Sequence, residues 1–353
     1  STNPYCHPKS KENFVRAFFD DRQWAHDPKH FVASGQLTAN PEQPKRIEIL
    51  NQGAKEANCK FETPKDFGMG PISDIHSPRY LTFLQTVHTR WQRSVHSKSE
   101  VVPSIHPLSR GDSYPASAIG QAGFHQADTS CPIGADTWKS AYWSAQSAIN
   151  LGAHMLDGAQ SGYALCRPPG HHAFAEVAGG FCFLNNSAIL AQYLTKRGAR
   201  IAILDVDVHH GNGTQGIFYD RDDVFTVSLH ADPSRFYPFY WGQANETGKG
   251  RGSGFNLNLA LPRKTGDDDY LVYLKTALSQ IETFCPDILV VALGLDAAES
   301  DPFEGLSITT EGFSRIAASI AKLRKPLAVV QEGGYLGPDL GINLRSFLQA
   351  LED

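Results

Sequence analysis

The stretch Ile201-Ala202-Ile203-Leu204-Asp205-Val206-Asp207-Val208-His209-His210-Gly211-Asn212-Gly213 decides how the rest of this chain is read. Its first four residues form a short apolar run, partly β-branched, bounded by polar residues; that pattern predicts a buried strand. The run then breaks into acids, a histidine pair and a Gly-Asn-Gly turn, the punctuation of a strand end. In parallel α/β sheets, ligands bind just beyond the carboxyl ends of the strands. Asp207 and His209 lie two apart, on one side of an extended segment, so both can face a single ion.

Outward from this stretch the pattern repeats. Apolar runs at 162–166, 224–229, 288–293 and 327–330 alternate with helical periodicity at 138–156, 186–196, 310–323 and 343–351. Apolar β-branched runs separated by helices predict a parallel sheet buried on both faces. Three further runs end in reactive-looking residues. Arg167-Pro168-Pro169-Gly170-His171-His172 follows the first, Gly294-Leu295-Asp296 follows 288–293, and Gln331-Glu332-Gly333-Gly334-Tyr335 follows 327–330. All four segments can converge on one crevice. Before about residue 135 the chain is irregular and rich in Pro, His and charge, with helices expected at 44–56 and 78–93 and a loop over 61–75. No repeat, low-complexity tract or linker divides it, so one α/β domain over 1–353 is expected, its N-terminal third (about 1–135) wrapping the sheet as loops and helices.

A third ligand, Asp296, would complete an Asp-His-Asp set and leave positions open for water and a substrate carbonyl, as catalytic zinc sites require. Such a metal polarises the carbonyl and lowers the pKa of its water to about 7. His171 and His172 are the candidates for moving the water's proton, because imidazole titrates near neutral pH. Tyr335, after a Gly-Gly turn, can donate to a developing oxyanion. Taken singly, a histidine beside a strand is more often structural, and most Gly-Gly-Tyr triplets are only turns. Two His-His pairs and three strand-end aspartates in one layer carry the metal reading. Gly211-Asn212-Gly213 lacks the Gly-Lys-Ser/Thr ending of a phosphate loop, so nucleotide binding is not expected.

Composition narrows the partners. A formal net charge of -5 argues against nucleic acid as the main ligand. The six cysteines lack C-x-x-C spacing and read as reduced, buried thiols. Ser1–Glu12 is polar, and no run reaches the ~18 apolar residues of a membrane span. A cytoplasmic protein with no membrane partner is therefore expected.

Pro-Pro-Gly-His-His (168–172), Asp-Val-Asp-Val-His-His-Gly-Asn-Gly-Thr (205–214), Val-Ser-Leu-His (227–230) and Glu-Gly-Gly-Tyr (332–335), in this order, resemble the histone deacetylase superfamily. Within it the chain is most similar to acetylpolyamine amidohydrolases, from about Asp20 to the C-terminus. The resemblance implies an arginase/deacetylase-like three-layer α/β fold with a central, mostly parallel sheet flanked by helices. It implies one zinc ion per chain on Asp207, His209 and Asp296, with His172 as general base and acid and His171 as its electrostatic partner. Tyr335 would polarise the acetyl carbonyl, and Asp205 would serve both His171 and a structural potassium ion. The potassium would otherwise be held by Ser228 and by the backbone carbonyls of Asp205, Asp207, His209 and Leu229. Asn212 would face His172; a neutral amide raises a histidine's pKa far less than the Asp205 carboxylate does for His171. The substrate tunnel would run between Phe181 and Tyr237 beside Gly180, with a tyrosine at 237 where phenylalanine is common.

The function so implied is hydrolysis of an N-acetylated amine (an acetylpolyamine, or a related acetylated diamine or lysine) with release of acetate. The alternatives are a protein or peptide acyl-lysine deacylase of the same mechanism, an arginase-type ureohydrolase with two manganese ions, and a non-catalytic binder of acylated ligands. Polyamine-cleaving relatives hold the cationic chain with acids at the tunnel mouth. Here the preferred register puts Ile119 and Ser130 at those places, with Asp27, Asp112 and Asp128 nearby. The 112–133 segment, like similar insertions in relatives, implies a homodimer that narrows the mouth.

Overall fold

The computed structural model describes residues 14–94, 100–109, 111 and 113–352. The chain begins with β1 (Val15–Phe18), a hairpin of β2 (His30–Ala33) and β3 (Gln36–Ala39), α1 (Lys45–Glu56) and β4 (Cys59–Glu62). Four helices follow: α2 (Gly70–Ser73), α3 (Pro78–Ser94), α4 (Ala118–His125) and α5 (Thr137–Leu156). Strands and helices then alternate, with β5 (Ser161–Ala164), α6 (Asn186–Thr195), β6 (Ile201–Asp205), α7 (Asn212–Phe218) and β7 (Val224–Ala231). The chain closes with β8 (Asn256–Leu261), α8 (Asp267–Phe284), β9 (Ile288–Leu293), α9 (Thr310–Ala321), β10 (Leu327–Gln331) and α10 (Leu340–Ala350).

Eight strands form one sheet in the order β4-β1-β5-β10-β9-β6-β7-β8, and every neighbouring pair is parallel. Its central strands β10, β9 and β6 are almost wholly apolar because the period-2 alternation feeds two cores. Ile201, Ile203, Ile288 and Val290 enter one core, shared with α3, α5 and α6. Ala202, Leu204, Leu289 and Val291 enter the other, shared with α1, α8, α9 and α10. Helices thus cover both faces, giving the three-layer fold that the sequence predicted. The chain runs from β5 to β6 and only later returns to insert β9 and β10 between them. That return brings the carboxyl ends of β5, β10, β9 and β6 side by side, and with them the four reactive segments.

The N-terminal third does more than wrap the sheet, since β1 and β4 form its edge, with Val15 paired to Cys59 and Phe18 to Glu62. Val-Arg-Ala-Phe and Cys-Lys-Phe-Glu are short and interrupted by charge, so neither reads as a strand alone. The one-turn α2 lies inside the 61–75 stretch expected to be loop. Helix α8 carries its own sequence signal: its buried Tyr270, Leu274, Ala277 and Ile281 recur at 3–4 spacing, and three aspartates in its first turn suit the helix dipole. Cys59, Cys131, Cys166 and Cys182 are free and buried. Cys285 is exposed instead, because it is the left-handed residue that ends α8. Cys6 lies outside the described residues. Among them, no helix is long and apolar enough to cross a membrane.

Candidate active site

Two carboxylate-to-backbone bonds curl the chain across the end of β6. Asp207 N donates to Asp205 Oδ1 at 3.1 Å, and His209 N donates to Asp207 Oδ1 at 2.8 Å. Asp296, just beyond β9, accepts from Val208 N at 3.1 Å, while Asp207 Oδ2 accepts from Gly333 N at 2.8 Å. The result is a buried triad in which ligand atoms of Asp207, His209 and Asp296 all lie within 4.8 Å of one another. His209 Nδ1 stands 3.2 Å from Asp207 and 3.1 Å from Asp296. Glycine is required around it. A Cβ at Gly294 would meet Asp207 Oδ2 at 2.2 Å, and one at Gly333 would meet Asp296 Oδ2 at 2.2 Å.

The triad is short of positive charge. Burial and then Asp207 push the Asp296 carboxyl up to about 6. Burial opposes a charge on His209, but its hydrogen bonds to Asp207 and Asp296 outweigh that and raise it to about 9. Two buried carboxylates and one imidazole, converging from separate strand ends, are a donor set for a divalent ion. The residues fit such a metal.

The histidine pair follows β5, and Glu332 holds its backbone. The Glu332 carboxylate accepts from Gly170 N at 2.7 Å, His171 N at 3.0 Å and the Ser187 hydroxyl at 2.9 Å. The two rings lie 4.1 Å apart. His171 Nδ1 is 2.8 Å from Asp205 Oδ2, and His172 Nδ1 is 2.7 Å from Asn212 Oδ1. Burial opposes a charge on His171, yet Asp205 and Asp207 overcome it and hold its pKa well above the usual value. His172 has no such carboxylate, and burial with the neighbouring His171 and His209 drives its pKa well below. Their partners thus favour a charged His171 and a neutral His172. An amide oxygen can only accept, so Nδ1 of His172 carries its proton and Nε2 is the basic nitrogen.

Tyr335 follows β10. Its backbone N–H donates to Asp301 at 3.1 Å, and its ring packs against Phe181 and Phe303 at 5.8 and 5.0 Å. Beneath it, the fully buried Arg46 of α1 donates to the carbonyls of Gly334 at 2.6 Å and Glu332 at 2.8 Å, with its guanidinium 5.1 Å from the Tyr335 ring. Glu42 pairs with Arg46 at 2.7 Å and with Arg167 at 2.8 Å, so one buried carboxylate joins the tyrosine loop to the histidine loop. Burial, then Asp296, raise the Tyr335 pKa well above its usual value, which keeps the hydroxyl a donor.

These groups floor a cavity of about 570 Å3. His172, His209 and Tyr335 lie at its base, while Gly180, Phe181 and Tyr237 form its walls. Phe181 adopts a left-handed φ of 69° and Gly180 one of 50°; a Cβ at Gly180 would strike His172 at 2.4 Å. The mouth carries Phe31, Ser34, Ser130, Tyr240 and Trp241.

Of the residues that the sequence nominated for metal, proton transfer and tunnel wall, His172, His209, Tyr335, Gly180, Phe181 and Tyr237 line this cavity, while Asp207 and Asp296 lie behind His209 and His171 beside His172. Asp205 and Ser228 are register partners across β6 and β7, and the Ser228 hydroxyl meets His230 Nδ1 at 2.8 Å. The mouth differs from expectation. Ser130 lines the cavity, whereas Ile119 sits 37% exposed on α4 and does not. Asp27 lines a separate space of about 200 Å3 with Glu100 and Asp136, and Asp112 lies outside the described residues. Unassigned from the sequence were the supports: Glu332, Asp301 and the Arg46–Glu42–Arg167 cluster. Glu332 stood within a motif already noted; nothing in the spacing marks Arg46 or Glu42.

The chain matches the model of the histone deacetylase domain over residues 40–351. It is 43% identical over 331 residues to an acetylpolyamine amidohydrolase of Burkholderia pseudomallei (strain 1710b), covering 94% of this chain and 96% of that one. An acetylpolyamine amidohydrolase of Mycoplana ramosa is 37% identical over 340 residues, covering 96% of this chain and 99% of that one. The crystal structure of an acetylpolyamine aminohydrolase from Burkholderia pseudomallei superimposes with a TM-score of 0.93 at 42% identity, over 96% of this chain and 98% of that one.

Proposed function

The chain belongs to the histone deacetylase family, and from that membership we propose that it hydrolyses the amide of a small N-acetylated amine, releasing acetate. The single observation that carries the reading is the buried Asp207–His209–Asp296 triad, which reaches an apolar-walled cavity through His209, with His172 and Tyr335 lining the same cavity. Asp207, His209 and Asp296 would hold one zinc ion per chain. When bound, zinc polarises the acyl carbonyl and lowers the pKa of water. His172 then takes the proton of the attacking water at Nε2 and returns it to the departing amine nitrogen. His171, held cationic by Asp205, offsets negative charge as it develops. The Tyr335 hydroxyl donates to the carbonyl oxygen as it becomes an oxyanion. Phe181 and Tyr237 wall the narrow tunnel in which the substrate lies and keep water from it. In the same reading, Asp205 and Ser228, with the carbonyls of Asp205, Asp207, His209 and Leu229, hold a structural potassium ion.

The relatives' names favour an acetylpolyamine or acetylated diamine as the amine. The mouth supports a second reading, acyl-lysine deacylation, because Ser130 there carries no charge and the Asp128 carboxylate in the same cavity is hydrogen-bonded to Tyr237 and Gly180. The segment near the mouth supports a homodimer only through Tyr114 and Ile119, each more than a third exposed, since Phe124 is buried against its own chain. Metal analysis coupled to product analysis tests the proposal. One zinc per chain with chelator-sensitive release of acetate supports it; two manganese ions with release of urea contradict it.

A further inference from the structure

The hydroxyl that distinguishes Tyr237 from a phenylalanine has a partner. It donates to Asp128 Oδ2 at 2.6 Å, and the same oxygen accepts from Gly180 N at 3.1 Å. The other oxygen of Asp128 accepts from Ser130 N at 2.8 Å. Asp128 thus touches both walls of the tunnel at once: Tyr237 directly, and Phe181 through the peptide next to it. It ends a short run of backbone bonds between the two loops, in which Ala178 N donates to the carbonyl of His125 at 2.7 Å and Ala127 N to that of Ala178 at 2.8 Å. The wall it secures is strained, because Phe181 keeps a left-handed φ of 69° that a residue with a side chain adopts at a cost. The fit is close as well. A Cβ at Gly179 would lie 3.4 Å from Asp128 Oδ2, and one at Gly180 would lie 2.8 Å from the Tyr237 hydroxyl. The Tyr237 ring stands edge-on to His172 at 4.9 Å, so any swing of that ring changes the space over the base.

We infer that Asp128 is a positioning residue that staples Tyr237 and the Gly180–Phe181 strip together, fixing the width of the tunnel and with it the longest acyl group accepted. A carboxylate has about four lone-pair sites; three here accept from Tyr237, Gly180 and Ser130 and a fourth faces the Cys131 thiol at 3.8 Å, so this acid serves as an acceptor for the walls. The inference rests on reading the cavity as an acyl-amide tunnel. It reaches past that reading by naming what limits the acyl chain.

The test compares kcat/KM for N-acetyl-, N-propionyl- and N-butyrylputrescine in the zinc-loaded wild type, Asp128→Ala, Asp128→Asn and Tyr237→Phe, with melting temperature and zinc content recorded for each. Asp128→Ala should lower the preference for acetyl over butyryl about 10-fold, the scale on which a snug apolar wall discriminates methylenes. Asp128→Asn keeps acceptor oxygen and should retain most of the preference. Tyr237→Phe should shift it the same way, and the double variant no further than Asp128→Ala, because both remove one contact. An unchanged acyl preference in a folded, zinc-loaded Asp128→Ala protein overturns the inference. So does an Asp128→Asn effect confined to putrescine amides and absent with the uncharged N-butylacetamide, which would make Asp128 a charge subsite. Crystal structures of wild type and Asp128→Ala decide the staple even if no substrate turns over, a result that would instead sink the proposed reaction. Displaced Tyr237 and Phe181 support it, and unmoved walls refute it.

Discussion

The base of the cavity and its mouth are built by different means. The base comes from strand ends, β5, β6, β9 and β10, neighbours in the sheet, and its groups are buried and tied to backbone N–H groups or to each other. The mouth comes from the β2–β3 hairpin around 31–34 and from connecting segments around 128–130 and 235–241, where Phe239 is 51% and Tyr240 89% exposed. A rigid base sets the reaction, since proton transfer and oxyanion stabilisation demand tight geometry. A loop-built mouth sets the amine, because loops can change without disturbing the sheet.

The sharpest way to break this division is to attack the support beneath the base. Glu42→Gln would leave the buried guanidinium groups of Arg46 and Arg167 without their shared carboxylate, so a loss of about 3–5 kcal/mol is expected. Urea denaturation midpoints measure it, and a loss near zero would mean the cluster is not what steadies the two loops. Tyr335→Phe comes next. It removes only the donor, and kcat should fall ~10²-fold or more with the fold and metal content intact; full turnover would remove Tyr335 from the mechanism.

Asn212→Asp sharpens the comparison within the base. A carboxylate at His172 Nδ1 favours the protonated ring and raises its pKa. Because neutral His172 is the base, the acidic limb of the kcat/KM profile should move to higher pH. A profile identical to wild type would contradict the assigned asymmetry. The smallest effect belongs to the mouth. Ser130→Glu places an acid on its rim, and kcat/KM for N8-acetylspermidine should rise several-fold at low salt, consistent with ~1 kcal/mol for an exposed ion pair. The same gain with an uncharged acetamide would show that charge is not the cause.

The base was legible in the sequence because its chemistry sits at fixed offsets from apolar runs. Asp207 and His209 are two apart after β6, His171 and His172 follow a proline-glycine turn after β5, and Asp296 follows β9. Alternation into two cores made those runs conspicuous. The outer strands β1 and β4 were not legible, since each is only four residues long and Arg16, Lys60 and Glu62 break the apolar pattern; β4, the edge strand, has one neighbour. Nor was the Arg46–Glu42–Arg167 cluster: Glu42 and Arg46 are four residues apart, but Arg167 lies 125 residues from Glu42 and meets it only in the fold. At the mouth, Asp128 was visible as an acid near the right place. That its oxygens serve Tyr237, Gly180 and Ser130 depends on loop geometry that no spacing encodes.

The most direct test of the account is acetate release by one zinc-reconstituted preparation against N-acetylputrescine, N8-acetylspermidine, an acetyl-lysine peptide and longer acyl-lysines, each repeated with His172→Ala. Acetate is expected from the small acetylated amines, with kcat/KM falling as the acyl chain lengthens and a loss of about 10²–10⁴-fold without the base. Acetate from none of them, or turnover undiminished in His172→Ala, would contradict that expectation.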